Sequence, residues 1–248
     1  MKVVNATWEL RNLGKRTIEL TLEKADFLRN PKEIYADIEA AEDEYQSEYT
    51  VVKVKTGKPQ IGWELQKNGF WHIETQINLK ASREDITYAF IKYGELFQDI
   101  SFQKVETMMD VSYIQDEIRK GIFTTDRIAL DPYFGIEISN RRYANWVEDE
   151  IKKNSSLFYV ISMGEKIGFV LNKTDGLGLL GGLFTGFQKN GMGGELEIAG
   201  LRLTLSMKVE NIYTSVSSNN LKILQLHELF GYHVKSLIDV YVKHDSRA

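Results

Sequence analysis

The stretch 177–208, LGLLGGLFTGFQKNGMGGELEIAGLRLTLSMK, decides how the rest of the chain is read. It opens as an apolar, glycine-rich run of strand length. It then passes through the turn Gln188-Lys189-Asn190-Gly191-Met192-Gly193-Gly194 and continues with helical periodicity. Apolar residues recur at Leu196, Ala199 and Leu203, and a second set falls at Ile198, Leu201 and Leu205. A helix apolar on two sides sits between layers. A turn that opens such a helix presents backbone N–H groups with no acceptor inside the helix, and glycines let an anion approach the main chain. The helix dipole adds to the attraction. In outline this is a pyrophosphate cradle, although a glycine-rich turn on its own is more often only a turn. No Gly-Lys-Ser/Thr follows, which excludes a nucleoside-triphosphate loop. Nor is there a G-x-G-x-x-G early in a parallel βαβ unit, as a dinucleotide site requires.

Both flanks keep an α/β rhythm. Upstream, ETMMDVSYIQDEIRKG (106–121) and SNRRYANWVEDEIKK (139–153) are helical in period. LFYVISM (157–163) and EKIGFVLNK (165–173) predict a hairpin across Gly164. Downstream, NIYTSV (211–216) reads as a strand, NNLKILQLHELFG (219–231) as a helix and YHVKSLIDVYVK (232–243) as a strand. Gly231 stands where a left-handed helix stop belongs. In the first third, 16–22 alternates like a half-buried strand, and Asn30-Pro31 opens a helix running to about Gln46. Residues 49–55, 59–67 and 70–79 then predict strand, helix and strand, while 80–104 match no template.

An internal echo links the two ends. Aligning Gly69-Phe70 with Gly231-Tyr232 also aligns 50–55 with 212–217 without a gap, and puts Ile61 on Ile223. Two copies of a strand–helix–Gly–aromatic–strand unit make the N-terminal part a worn half-copy of the C-terminal fold. The alternative is that any β-α-β unit with a glycine helix stop aligns this well.

Of the 248 residues, 43% are hydrophobic and 27% charged, the balance of a globular chain that buries a core without staples. Cysteine is absent, which removes thiol nucleophiles, Cys-based zinc sites and disulfides. The net charge of −4 gives no reason to expect nucleic acid. The beginning, MKVVNATWELRN, has no hydrophobic signal core, and no apolar run approaches membrane-spanning length. A cytoplasmic protein is the expectation.

The Q-x-x-G-x-G at Gln188–Gly193 resembles the acetyl-CoA signature of the GNAT superfamily, and VSSNNLKILQLHELFGY (216–232) resembles that family's strand–Asn–helix–Gly–aromatic segment. The resemblance covers about 105–243. It implies that the amides around Gly191, Gly193 and Gly194, with Gln188, Lys189, Asn190 and Met192, hold the CoA pyrophosphate. The Leu183 N–H would serve as the oxyanion donor. Asn220 would meet the pantetheine arm or the attack site, although as a helix N-cap it needs no ligand. Seven residues on, relatives carry a tyrosine that protonates the departing thiolate; His227 stands there, able to donate near neutral pH or simply to pack. The signature strand holds no carboxylate, so no general base is identified.

Arg141, Arg142, Tyr143 and Trp146 form either a packing stripe or an acceptor-site wall in which arginine grips an anionic group. With TDRIALDPYF (125–134) and the R-Y-x-x-W at 142–146, the chain resembles the two-part acetyltransferases of dTDP-linked 4-amino-4,6-dideoxy sugars, the dTDP-fucosamine type. His227 in place of tyrosine departs from that group.

The expected fold is α/β with a mixed sheet: a GNAT fold in the C-terminal half and a smaller, degenerate, GNAT-like N-terminal domain. The expected boundaries are 1–80, a connector at 81–104, and 105–248. The expected activity is direct acetyl transfer from acetyl-CoA to a primary amine, with no metal. The amino group of a nucleotide-linked sugar is the specific candidate. A non-catalytic acyl-CoA-binding module is the alternative, and a donor acyl group larger than acetyl stays open. Acetyl-CoA and a small-molecule amine are the expected partners, with neither nucleic acid nor membrane; a homodimer is compatible with this.

Overall fold

The computed structural model describes residues 1–172, 180–188, 192–206 and 209–245. They divide into two compact units: Met1–Ile77 with Ser236–Ala248, and Asn78–Lys235.

In the first unit β1 (Lys2–Asn5) pairs antiparallel with β2 (Thr17–Thr21), and β2 pairs parallel with β3 (Tyr49–Lys55). The last strand, β10 (His233–His244), runs antiparallel to β3, with Ile238–His244 opposite Tyr49–Lys55, and β4 (Trp71–Ser82) follows it. Three helices belong here: α1 (Trp8–Leu13), α2 (Pro31–Tyr45) and α3 (Pro59–Lys67). The Asn30 side chain accepts the Lys32 N–H at 3.0 Å and Pro31 takes the first helical position, so α2 starts where the sequence places it. Its buried residues Ile34, Ile38 and Ala41 share one face and join Ile18, Leu20, Val52, Val54, Leu65 and Phe70 in the core. Two elements here have no counterpart in the sequence reading, β1 and α1. They are too short for periodicity to register.

The second unit begins with the 78–82 end of β4, next to β9 (Asn211–Ser217) in the strand order. Residues 81–104, read from sequence as a connector, are regular structure here. They hold α4 (Arg83–Tyr93), opened by a Ser82–Asp85 capping box, and β5 (Ile100–Lys104), an edge strand beside β6 (Ser156–Ser162). Their physical anchor is Arg202, which donates to the Phe97 carbonyl at 3.2 Å and to that of Ile100. Then come α5 (Met108–Arg119), the short α6 (Arg127–Leu130) and α7 (Gly135–Lys152). The antiparallel sheet β5-β6-β7-β8 is completed by β7 (Glu165–Asn172) and β8 (Leu180–Leu183). Met163 and Gly164, at φ 49° and 81°, form the tight turn of the predicted hairpin. α5 and α7 cover the sheet through Ile114, Ile118, Val147, Leu157, Phe169 and Phe184. α8 (Gly193–Ser206), buried at Ile198, Ala199, Leu201 and Leu203, packs against β7, β8 and α9 (Leu221–Leu229).

The internal echo extends further than the sequence alignment reached. With the shift that carries Lys58 to Asn220, β3, α3 and β4 fall on β9, α9 and β10 end to end. The same shift puts the start of α2 on the start of α8, and β2 on β8 to within a residue. Gly69 and Gly231 hold the same left-handed turn, at φ 86° and 92°. In the strand order the final strand of each copy neighbours the other copy's penultimate strand: β10 lies beside β3, and β4 beside β9.

Candidate active site

β8 is the last strand of its sheet. The Phe184 N–H donates to the Ile167 carbonyl at 2.9 Å, and successive amides of a strand point to opposite sides, so the Leu183 N–H faces away from β7. Among the described residues no strand pairs with that edge of β8. Five residues on, the Gln188 side-chain amide donates to the Leu183 carbonyl at 3.4 Å and to the Ile122 carbonyl at 3.3 Å, tying the end of β8 to the chain after α5.

Lys189, Asn190 and Gly191, the middle of the predicted cradle, lie outside the described residues. Met192, Gly193 and Gly194 are described. The Leu196 N–H reaches back to the Met192 carbonyl at 3.4 Å, which leaves the amides of Gly193, Gly194 and Glu195 without an acceptor inside α8. Both glycines also meet packing demands that the sequence did not reveal. A Cβ on Gly193 would lie 3.3 Å from a Leu226 methyl of α9, and one on Gly194 would lie 2.8 Å from the Phe97 ring.

Asn220 caps α9, its Oδ1 accepting the Ile223 N–H at 3.4 Å. One to two turns on, His227 faces α8. Its Nδ1 lies 3.0 Å from Oε1 of Glu197, both side chains are mostly buried (14% and 13% exposed), and its ring packs on Tyr232 with centroids 4.8 Å apart. Burial, and then the Glu197 charge, push the Tyr232 phenol far above its ordinary value, so it stays protonated. Glu197 is the functional candidate that sequence reasoning missed. The sequence resemblance points to a carboxylate on the strand, and only the α8–α9 packing brings this one to His227.

A second carboxylate flanks the other side of β8. Glu117 of α5 is buried, paired with Lys120, and 3.5 Å from the Thr185 N–H. The two glycines of β8 face different neighbours, Gly181 toward Leu196 of α8 and Gly182 toward the chain after α5. A Cβ on Gly182 would fall 2.8 Å from Ile122 and 3.3 Å from the Phe123 ring. Phe123 in turn stacks on Tyr143, centroids 4.2 Å apart, so Tyr143 of α7 reaches β8 through one ring. Asn140, fully buried, holds this segment by accepting the Phe123 N–H (2.9 Å) and donating to the Phe123 and Ile136 carbonyls (2.7 and 2.8 Å). Trp146 lies on the same face as Tyr143 and donates to Glu150 at 3.2 Å, while Arg141 is exposed and Arg142 half-buried on α7.

The first copy lacks this chemistry. Pro31 and Lys32 stand where the second copy has Gly193 and Gly194, and Lys58 stands for Asn220 without a side-chain cap. The shallow groove there, about 480 Å³, is lined by Asn30, Pro31, Pro59 and Trp63. Proline at the first position of both helices removes an amide donor from each. Among the described residues no group of three or more His, Asp or Glu is placed to hold a metal ion, and no helix is long and apolar enough to cross a membrane.

No family model matches the chain, and no curated protein matches it in sequence. Solved structures do match. A GCN5-related N-acetyltransferase from Sphaerobacter thermophilus aligns with a TM-score of 0.62 over 98% of this chain and 75% of its own, at 12% identity. A functionally unknown conserved protein from Staphylococcus epidermidis aligns at 0.59 over 92% and 84%, at 15% identity. A GCN5-related N-acetyltransferase from Kribbella flavida gives 0.53 over 92% and 80%, at 11% identity. At these identities the likeness is one of fold. The chain has the mixed α/β fold of the GCN5-related N-acetyltransferases.

Proposed function

We propose that the chain transfers an acetyl group from acetyl-CoA to a primary amine within a ternary complex. One observation carries the reading: the outward Leu183 amide on β8 and the amides of Gly193, Gly194 and Glu195, which have no acceptor among the described residues, stand only about ten residues apart in the chain. The first suits a developing oxyanion, the second a pyrophosphate. In this reading the amides of Gly193, Gly194 and Glu195 hold the diphosphate, together with the signature residues Gln188 to Met192. The thioester carbonyl lies against Leu183, and the amine attacks from the side of Phe123 and Tyr143. Asn220, its Oδ1 committed to the cap, offers its amide N–H₂ to the pantetheine. His227 protonates the departing thiolate.

The finer reading takes the acceptor as the 4-amino group of a dTDP-linked 4-amino-4,6-dideoxy sugar, with Arg141 or Arg142 meeting its phosphates. A panel of amines that includes this sugar, incubated with acetyl-CoA, tests both levels. Release of CoA thiol together with a one-acetyl mass gain is expected, greatest on the nucleotide sugar. Thiol release with other amines alone would remove the sugar and keep the transferase. Binding of acetyl-CoA without transfer to any amine would leave the non-catalytic module.

A further inference from the structure

The Glu197–His227 contact stands on a position where the other copy of the fold has no carboxylate–imidazole pair. Under the shift that superimposes the two copies, Glu197, His227 and Tyr232 correspond to Tyr35, Leu65 and Phe70. In the first unit Leu65 and Phe70 are core residues, each 1% exposed, with Tyr35 packed against them. The same helix–helix contact is therefore built in one copy from a leucine, a phenylalanine and a tyrosine, with neither carboxylate nor imidazole among them. In the other it carries a carboxylate and an imidazole at 3.0 Å. A mostly buried pair of this kind gives little net stability over well-packed apolar residues. Its presence in only the copy that has the outward Leu183 amide and the glycine-bearing helix start asks for a chemical reason.

The geometry supplies one. With Nδ1 at Glu197, the other ring nitrogen of His227, Nε2, has no partner among the described residues. A carboxylate accepting from Nδ1–H fixes the tautomer that leaves a lone pair on Nε2. The titratable groups facing the ring are Glu197 from α8 and Tyr232 at the start of the last strand, with Glu228 next to it on α9. Leu226, the preceding residue, lies against Gly193 at the start of α8.

We infer that Glu197 is a positioning residue and that His227 serves both proton transfers of the reaction. The neutral amine nitrogen bonds to the acetyl carbon and its proton passes to Nε2. The carbon–sulfur bond breaks and the same proton passes from Nε2 to sulfur, giving amide and free CoA thiol. The imidazole is regenerated and Glu197 keeps its charge throughout. This supplies the base that the carboxylate-free strand does not. The inference rests on the acetyl-transfer reading above.

The test compares wild type, Glu197→Gln and Glu197→Asp, with the dTDP-linked 4-amino sugar as acceptor and imidazole ¹⁵N spectra read on the free proteins. His227 is expected in the Nδ1–H tautomer in wild type and in mixed tautomers in the Gln variant. The Gln variant should lose about 100-fold in kcat, with acetyl-CoA affinity unchanged. The Asp variant should recover about tenfold of that loss. An Nε2–H tautomer in wild type, or a Gln variant turning over like wild type, overturns the shuttle and leaves the transferase standing. A wild type that binds acetyl-CoA but acetylates no amine overturns the transferase reading itself, and the shuttle falls with it.

Discussion

Gly231 and Gly69 occupy the same turn in the two copies, yet substitution at them is expected to differ. Both have φ near +90°, a region that costs a residue with a side chain about 1–2 kcal/mol. At Gly69 an added Cβ finds only a Lys243 methylene at 3.9 Å, whereas at Gly231 it falls 3.0 Å from the Asp85 carbonyl oxygen. Gly69→Ala should therefore cost about 1 kcal/mol and Gly231→Ala about 2–3, the excess coming from a backbone that has to move. Denaturant melts of the two variants decide this; equal losses would mean that the α4 contact at Gly231 is loose. The residue scale is also where sequence reading ran out for the site. Gly193 and Asn220 were legible because backbone conformation and capping are local properties. Glu197 was not, because its partner is 30 residues away. The glycine at 182, which admits Ile122 and Phe123, was hidden for the same reason.

At the scale of elements, α4 shows both what sequence carries and what it conceals. Its start is a Ser82–Asp85 capping box, in which Asp85 Oδ2 accepts from the Ser82 amide (2.8 Å) and hydroxyl (2.6 Å). These bonds, with lesser help from His233, hold the Asp85 carboxyl below its usual value. A carboxyl lowered on folding stabilises at neutral pH and loses that contribution as pH falls through the folded value. Asp85→Asn should accordingly cost about 1 kcal/mol at neutral pH, and the gap to wild type should close as pH drops below about 4. A gap that persists undiminished in acid would show that the carboxylate charge plays no part. The box was written in the sequence, but 80–104 matched no template because α4 buries only Ile86 and Ala89 and β5 only Ile100. Elements with one narrow contact face leave little periodicity. Helices α2, α3, α8 and α9 and the strands between them were legible to within a few residues, since each has a cap, a glycine stop or alternating burial. β4 was expected to end at 79 and runs to Ser82, where the cap of α4 stops it.

For the whole molecule, the division into two units and the repeated strand–helix–strand set the expectations. Ile238–His244 lies between β3 and β4 in the sheet, with Val240 fully buried opposite Lys53. Val240→Asp should therefore speed hydrogen exchange in β2 and β3 while α5 and α7 keep their protection. Equal loss in both sets would mean that the chain unfolds as a single cooperative body. The two copies also divide the chemistry: Pro31, Lys58 and Leu65 in the first, Gly193, Asn220 and His227 in the second. On the proposed acetyl-transfer function, acyl-CoA recognition belongs to the second copy alone. Calorimetric titration of wild type and Gly193→Asp with acetyl-CoA tests this most directly, with thermal melts to confirm that the variant is folded. One site of micromolar affinity, about −8 kcal/mol, is expected in wild type, and the new carboxylate should abolish it. No heat with wild type, or undiminished binding by a folded variant, would contradict it.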